Sequence, residues 1–256
     1  MEEHLIAVEE FLKDWRDRPE VIGAVLTGSY ASGTATAHSD VDVHILLADS
    51  VKWRERGNKR VHGHLIEYFA NSAAAHRRYF LEDFRDGEHV DARMFAIGRV
   101  LFDKTGAVSR LVTAAKRQLK KKPGPVSKRW LELSKYGMWD QLENLRDLHH
   151  SDSPGFAWLY ARHVGSVIRN YARFLRAETG APDKLYLYFS DTAYRRGQRL
   201  PVFPDTRFSR LARLCLEVQD FAEAEKLTHY VLKKMGGFDI DGWKLRSPAP
   251  KEANHP

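Results

Sequence analysis

The sequence predicts an α+β chain, with a small α/β domain over residues 1–122 and a helical bundle over residues 123–256. Three observations carry that expectation. Before residue 122, β-branched apolar runs alternate with amphipathic segments. Lys116–Arg129 then holds seven basic residues and no acidic one, broken by Pro123-Gly124-Pro125, and proline neither continues a helix nor lets its predecessor do so. Beyond that break the apolar residues recur only at helical spacing.

Taken in order, Leu5, Ile6, Val8, Phe11, Leu12 and Trp15 recur at three- and four-residue intervals, so Glu2–Arg18 reads as an amphipathic helix. Val21–Thr27 is apolar and β-branched enough for a buried strand, and Gly28 stops it. Tyr30–Thr36 is a turn with a short helix, and Val41–Leu47 is a second strand. A third strand lies within Val61–Ala70, with His62, His64, Ile66 and Tyr68 on one face and Leu65, Glu67 and Phe69 on the other. Asn71 or Ser72 caps a helix reaching about Phe84 by accepting from free backbone amides. A helix over Val90–Ala96, a strand over Arg99–Asp103 and a helix over Val108–Lys121 complete this part. Helices then follow over Val126–Leu148, Phe156–Glu178 and Phe208–Met235, the last as one or two pieces stopped by Gly236-Gly237. Four or five helices make the bundle. The last ten residues read as disordered.

Composition narrows the classes of function. Hydrophobic residues are 43% and charged residues 29%, the balance of a chain with a core. No apolar run approaches the ~20 residues that span a bilayer. The acidic start, Met1-Glu2-Glu3-His4, is unlike a secretory leader, so a cytoplasmic protein without membrane contact is expected. Cys215 is the sole cysteine, which excludes an internal disulfide and a cysteine-built zinc site. The net charge of +7 favours anionic ligands, nucleotides or RNA among them.

The chemistry concentrates in Leu26–Val43. A strand runs into Gly28-Ser29, then a second strand opens with Asp40-Val41-Asp42. Glycine lets backbone amides approach a ligand closely, and a helix start presents free N–H groups to an anion. Two carboxylates two residues apart on a strand leave the same face, where they repel unless a cation lies between them. Oxygen-only ligands favour a hard ion, and Mg²⁺ is commonly held by one or two carboxylates plus substrate phosphates. Glu67 is the one acid in its strand, and between Leu65 and Phe69 it needs a metal or a hydrogen-bonding partner.

With Gly28-Ser29, an eleven-residue approach to Asp40-x-Asp42, and Glu67 on a later strand, the segment over about residues 20–115 resembles the nucleotidyltransferases of the DNA polymerase beta superfamily. More particularly it is similar to the antibiotic nucleotidyltransferases that modify aminoglycosides and lincosamides, and Gly98-Arg99-Val100-Leu101-Phe102-Asp103 shares in that likeness. The resemblance implies a polymerase-beta-like domain followed by helices. It implies Mg²⁺-dependent transfer of a nucleoside monophosphate from an NTP, with ATP the expected donor and pyrophosphate released. Gly28, Ser29 and Ser39 would bind the nucleotide, and Asp40, Asp42 and Glu67 would hold two Mg²⁺ ions in the active complex. Glu67 would complete the second metal site or take the acceptor's proton. If Glu67 only ligates metal, Asp140 and Glu143 are the nearest alternative bases in sequence. Arg77 and Arg78 are further phosphate candidates, with a solvated role preferred.

The expected acceptor is a small hydroxyl compound, neutral or anionic. A tRNA or protein acceptor, as in nucleotidyltransferase toxins and antitoxins, is the alternative, and an inactive nucleotide- or RNA-binding module is the reading from another class. Arginines 195, 196, 199, 207, 210 and 213, preceded by Tyr186, Tyr188, Phe189 and Tyr194, suit nucleic acid but read better as a solvated face over core aromatics. His62 with His64, and His149-His150 with Asp152, lack the further ligands a metal site needs.

Overall fold

A computed structural model describes residues 2–246, and the segment expected to be disordered lies outside them. The fold is α+β, as the alternation of elements predicts. The chain divides into two compact units, one of residues 1–124 with 178–203 and one of 125–177 with 204–256. The division at 122/123 read from sequence gives residues 178–203 to the helical part, whereas they pack with the first unit. Polar contacts described below hold them there.

The first unit is built on a five-stranded sheet in the order β3-β4-β2-β1-β5. Its strands are β1 (Val21–Leu26), β2 (Val41–Leu47), β3 (Glu55–Val61), β4 (His64–Ser72) and β5 (Arg99–Asp103). Only β2 and β4 run parallel; the other neighbours are antiparallel. Helix α1 (Glu3–Arg16) covers one face and buries Val8, Phe11, Leu12 and Trp15 against Val41, Val43, Ile45 and Ile66. Each large side chain so buried contributes about 2 kcal/mol. Helices α3 (Ala73–Asp86), α4 (Val90–Ile97) and α5 (Ala107–Gln118) cover the other face, setting Phe80, Phe95 and Leu111 on Val25 and Leu46. Ser72 caps α3 by accepting from the Ala75 amide.

Strand β3 was not read from the sequence. Its residues, Glu-Arg-Gly-Asn-Lys-Arg-Val, show no apolar alternation because it is an exposed edge that buries only Val61. It forms a hairpin with β4 through His62-Gly63, both at positive φ. Two short helices, α8 (Leu185–Ser190) and α9 (Thr192–Gly197), were also missed. They occupy the aromatic-arginine stretch, and they belong to the first unit.

The second unit consists of α6 (Lys128–His150), α7 (Phe156–Leu175), α10 (Thr206–Val218) and α11 (Phe221–Lys234). Ser127, Asp205 and Asp220 cap three of them. Met138, Leu142, Val164, Ile168, Phe208, Leu227 and Val231 are fully buried. Trp158, which shares the periodic pattern of α7, instead faces outward at 64% exposure, with Arg162 over its ring.

Candidate active site

Strand β1 delivers the chain to α2 (Gly28–Ser32), and β2 returns it alongside, the Thr27 amide donating to the Asp42 carbonyl at 2.9 Å. Gly28 sits at φ +63°, and a Cβ added there would overlap Asp42 Oδ2. Glycine at 28 therefore permits both the left-handed backbone and the closeness of the turn to that carboxylate. The Ser29 carbonyl accepts from the Thr34 amide at 2.9 Å and from the Ser32 hydroxyl at 3.1 Å. Ser39 Oγ accepts from the Thr36 amide at 2.9 Å, closing the turn that leads into Asp40.

Register brings the acids together. In the parallel β2–β4 pair, Asp42 lies directly opposite Glu67. Along β2, the residues sharing Asp42's face are His44 and Leu46, both buried beneath the helices, while Asp42 itself is only half-buried. The helical cover thus ends where the carboxylates begin. Asp40, Asp42 and Glu67 each offer a carboxylate oxygen, and these oxygens lie within 4.8 Å of one another. Among the described residues, no other group of three His, Cys, Asp or Glu is so placed. Burial, then the charges of Asp40 and Glu67, push the Asp42 carboxyl up to about 6. Neighbouring His44, stacked on Phe69, is pushed down to about 3 by burial and stays neutral.

A cation that the sequence reading missed completes the picture. Arg56 on β3 donates from Nη2 to Glu67 Oε1 at 2.6 Å and from Nε to the same oxygen at 3.2 Å. The β3–β4 pairing, invisible in the sequence pattern, is what brings it there.

The segment 178–203 packs on the first unit at α4 and at the end of α2. Glu178 pairs with both His89 and Arg93, and Arg93 also donates to the Gln198 and Arg199 carbonyls at 3.1 and 3.0 Å. Burial raises the Glu178 carboxyl, but the His89 hydrogen bond and the Arg93 charge hold it below its ordinary value. Gln198 Nε2 donates to Ser32 Oγ at 3.0 Å, and a Cβ at Gly197 would overlap the Ser32 carbonyl. Helix α9 is therefore seated on the end of α2.

The remaining candidates separate. Asp140 and Glu143 lie on α6 of the second unit, where Asp140 accepts from Asn144 and Glu143 pairs with Arg146. Arg77 pairs with Asp49, and Arg78 is exposed. The six arginines divide, 195, 196 and 199 in the first unit and 207, 210 and 213 in the second. Tyr188 and Tyr194 are buried core residues rather than stacking platforms. His149 stacks on Phe221. No helix is long and apolar enough to cross a membrane among the described residues.

Residues 8–93, from α1 into α4, match the model of the nucleotidyltransferase domain family. Among solved structures, the chain is similar to a nucleotidyltransferase-like protein from Exiguobacterium sibiricum 255-15. That likeness has 13% identity and a TM-score of 0.41, and covers 90% of this chain and 74% of the other. No curated protein matches the chain. Over residues 8–93, then, the chain is similar to the nucleotidyltransferase domain family.

Proposed function

We propose that the protein transfers a nucleoside monophosphate from an NTP, ATP in the first place, to a hydroxyl of a small acceptor and releases pyrophosphate. The observation that carries this reading is the convergence of Asp40, Asp42 and Glu67 within 4.8 Å beside the Gly28 turn. The donor set fits a divalent ion: it is all carboxylate oxygen, the choice of Mg²⁺. Asp42, pushed up to about 6, ionises at neutral pH against two like charges, which a cation would relieve.

In this reading Asp40 and Asp42 hold the metal against the triphosphate, and Glu67 completes the set. A bound Mg²⁺ supplies charge stabilisation on the transferring phosphate and the leaving pyrophosphate. Gly28 and Ser29 cradle the phosphates, and Ser39 fixes the turn that aims Asp40. The acceptor oxygen bonds to the α-phosphorus as the bond to the β-phosphate oxygen breaks. Where Glu67 does not ligate the metal it takes the hydroxyl proton instead, and Oε2, which Arg56 does not engage, supports that role.

Incubation with α-labelled NTPs, Mg²⁺ and a panel of aminoglycosides, lincosamides and total tRNA tests the reading. Label should move to a small hydroxyl compound with stoichiometric pyrophosphate. Label on tRNA or on protein would replace the small-acceptor reading, and absence of pyrophosphate release with every acceptor would reject transfer.

A further inference from the structure

The sheet face that carries Asp42 and Glu67 continues onto the edge strand. There Asn58 lies opposite Glu67, Arg56 opposite Phe69 and Arg60 opposite Leu65. Arg56 leans back along this face to Glu67, its guanidinium over the Phe69 ring at 4.9 Å from the centroid. The pair is asymmetric: the Glu67 side chain is 17% exposed and that of Arg56 69%. The acid is fixed in the sheet, while the cation reaches in from solvent on a long stem. Both guanidinium contacts fall on one oxygen, Oε1, of a carboxylate that belongs to the three-acid cluster.

We infer that Arg56 is a built-in counter-cation for Glu67, with which a divalent ion entering the three-carboxylate set must compete. The inference rests on the proposed reading that Asp40, Asp42 and Glu67 hold metal. Three carboxylates this close repel one another. With no metal bound, the guanidinium offsets that repulsion and keeps Glu67 aimed at Asp42. On metal entry, two cations compete for one carboxylate. The exposed partner gives way, because its interaction with Glu67 is screened and its side chain regains freedom in water. The metal-free site is thereby kept assembled, at the expense of affinity for a bare ion. Arg56 is a positioning residue, acting through Glu67.

The test is titration with Mn²⁺ alone, without nucleotide, with free ion followed by electron paramagnetic resonance. Arg56→Gln should bind Mn²⁺ about fivefold more tightly than the parent, the loss of one screened competitor. Arg56→Lys, which keeps the charge, should stay near the parent. Arg60→Gln removes the same charge from the same strand without touching Glu67, and should change affinity by less than about twofold. Unchanged or weaker binding by Arg56→Gln would overturn the inference, leaving Arg56 a simple brace for Glu67. An equal gain in Arg60→Gln would also overturn it, in favour of a diffuse field. If Arg56→Gln fails to fold, Arg56→Met, whose apolar stem still rests on Phe69, takes its place under the same criteria. Failure of the underlying metal reading looks different: the parent would not bind Mn²⁺, or Asp42→Asn would bind it equally well.

Discussion

Asp42 is held where its ionised form is disfavoured, and that has a definite pH signature. Its carboxyl is raised from 3.8 to about 6, first by burial and then by Asp40 and Glu67. The folded chain therefore binds a proton that the unfolded chain has released between those values. Stability from this group is present at low pH and is lost as pH rises through about 6. Asp42→Asn removes the repulsion without changing shape, so the metal-free variant should melt above the parent at neutral pH and equal it near pH 4. Added Mg²⁺ should raise the melting temperature of the parent and leave that of the variant unmoved, while nucleotidyl transfer falls by at least about 10²-fold. Thermal melts from pH 4 to 8, with and without Mg²⁺, check each part. A variant less stable than the parent at pH 7 without metal would show that Asp42 is not under that repulsion.

At the level of elements, α9 is fitted to α2 by a residue without a side chain. Gly197→Ala would drive a methyl group into the Ser32 carbonyl, so α9 must shift or α2 must yield. The expected destabilisation is about 1–3 kcal/mol. Amide exchange should quicken over residues 185–199 and over 28–34 together; quickening confined to α9 would mean that the two helices are not coupled. The same elements show what the sequence made legible. The strands β1 and β2, the Ser72 cap and the three carboxylates could be read because each leaves a local mark: an apolar run, a hydroxyl before a helix, two acids at alternate positions. Strand β3 leaves none, since its partner supplies the pairing and its side chains stay in water. Arg56 could not be found for that reason, because its meaning depends on register with Glu67. Helices α8 and α9 are too short for periodicity, although Asp191 accepting from the Ala193 and Tyr194 amides is the kind of start signal that sequence can carry.

On the scale of the chain, the first unit is made of two stretches, 1–124 and 178–203, joined by tertiary contacts, polar ones among them, rather than by continuous backbone. Glu178 is central, because it satisfies His89, whose side chain is fully buried, and Arg93, which is nearly so. Removing one partner of a buried, hydrogen-bonded pair costs about 3–5 kcal/mol. A fragment ending at Gly124 should accordingly be far less stable than the same residues in the whole chain. Glu178→Ala in the full protein should lose a similar amount and expose 178–203 to protease. A 1–124 fragment that melts cooperatively at the parent's temperature would show that the second stretch adds nothing. The apolar half of the organisation, a core on each face of one sheet and a second, helical unit, follows from pattern; the return of 178–203 brings together polar partners distant in sequence, Glu178 with His89 and Arg93 among them, which no pattern announces.

The discontinuity also sets a timetable. A ribosome that has released Gly124 has made every strand and every carboxylate of the site, yet α2 still lacks the glycine and glutamine that brace its far end. All of the first two helices of the other unit must be synthesised before Glu178 arrives. The nascent protein thus passes through an interval in which the site has its acids but not its full support, and the domain that carries the chemistry is completed only after its neighbour has been begun.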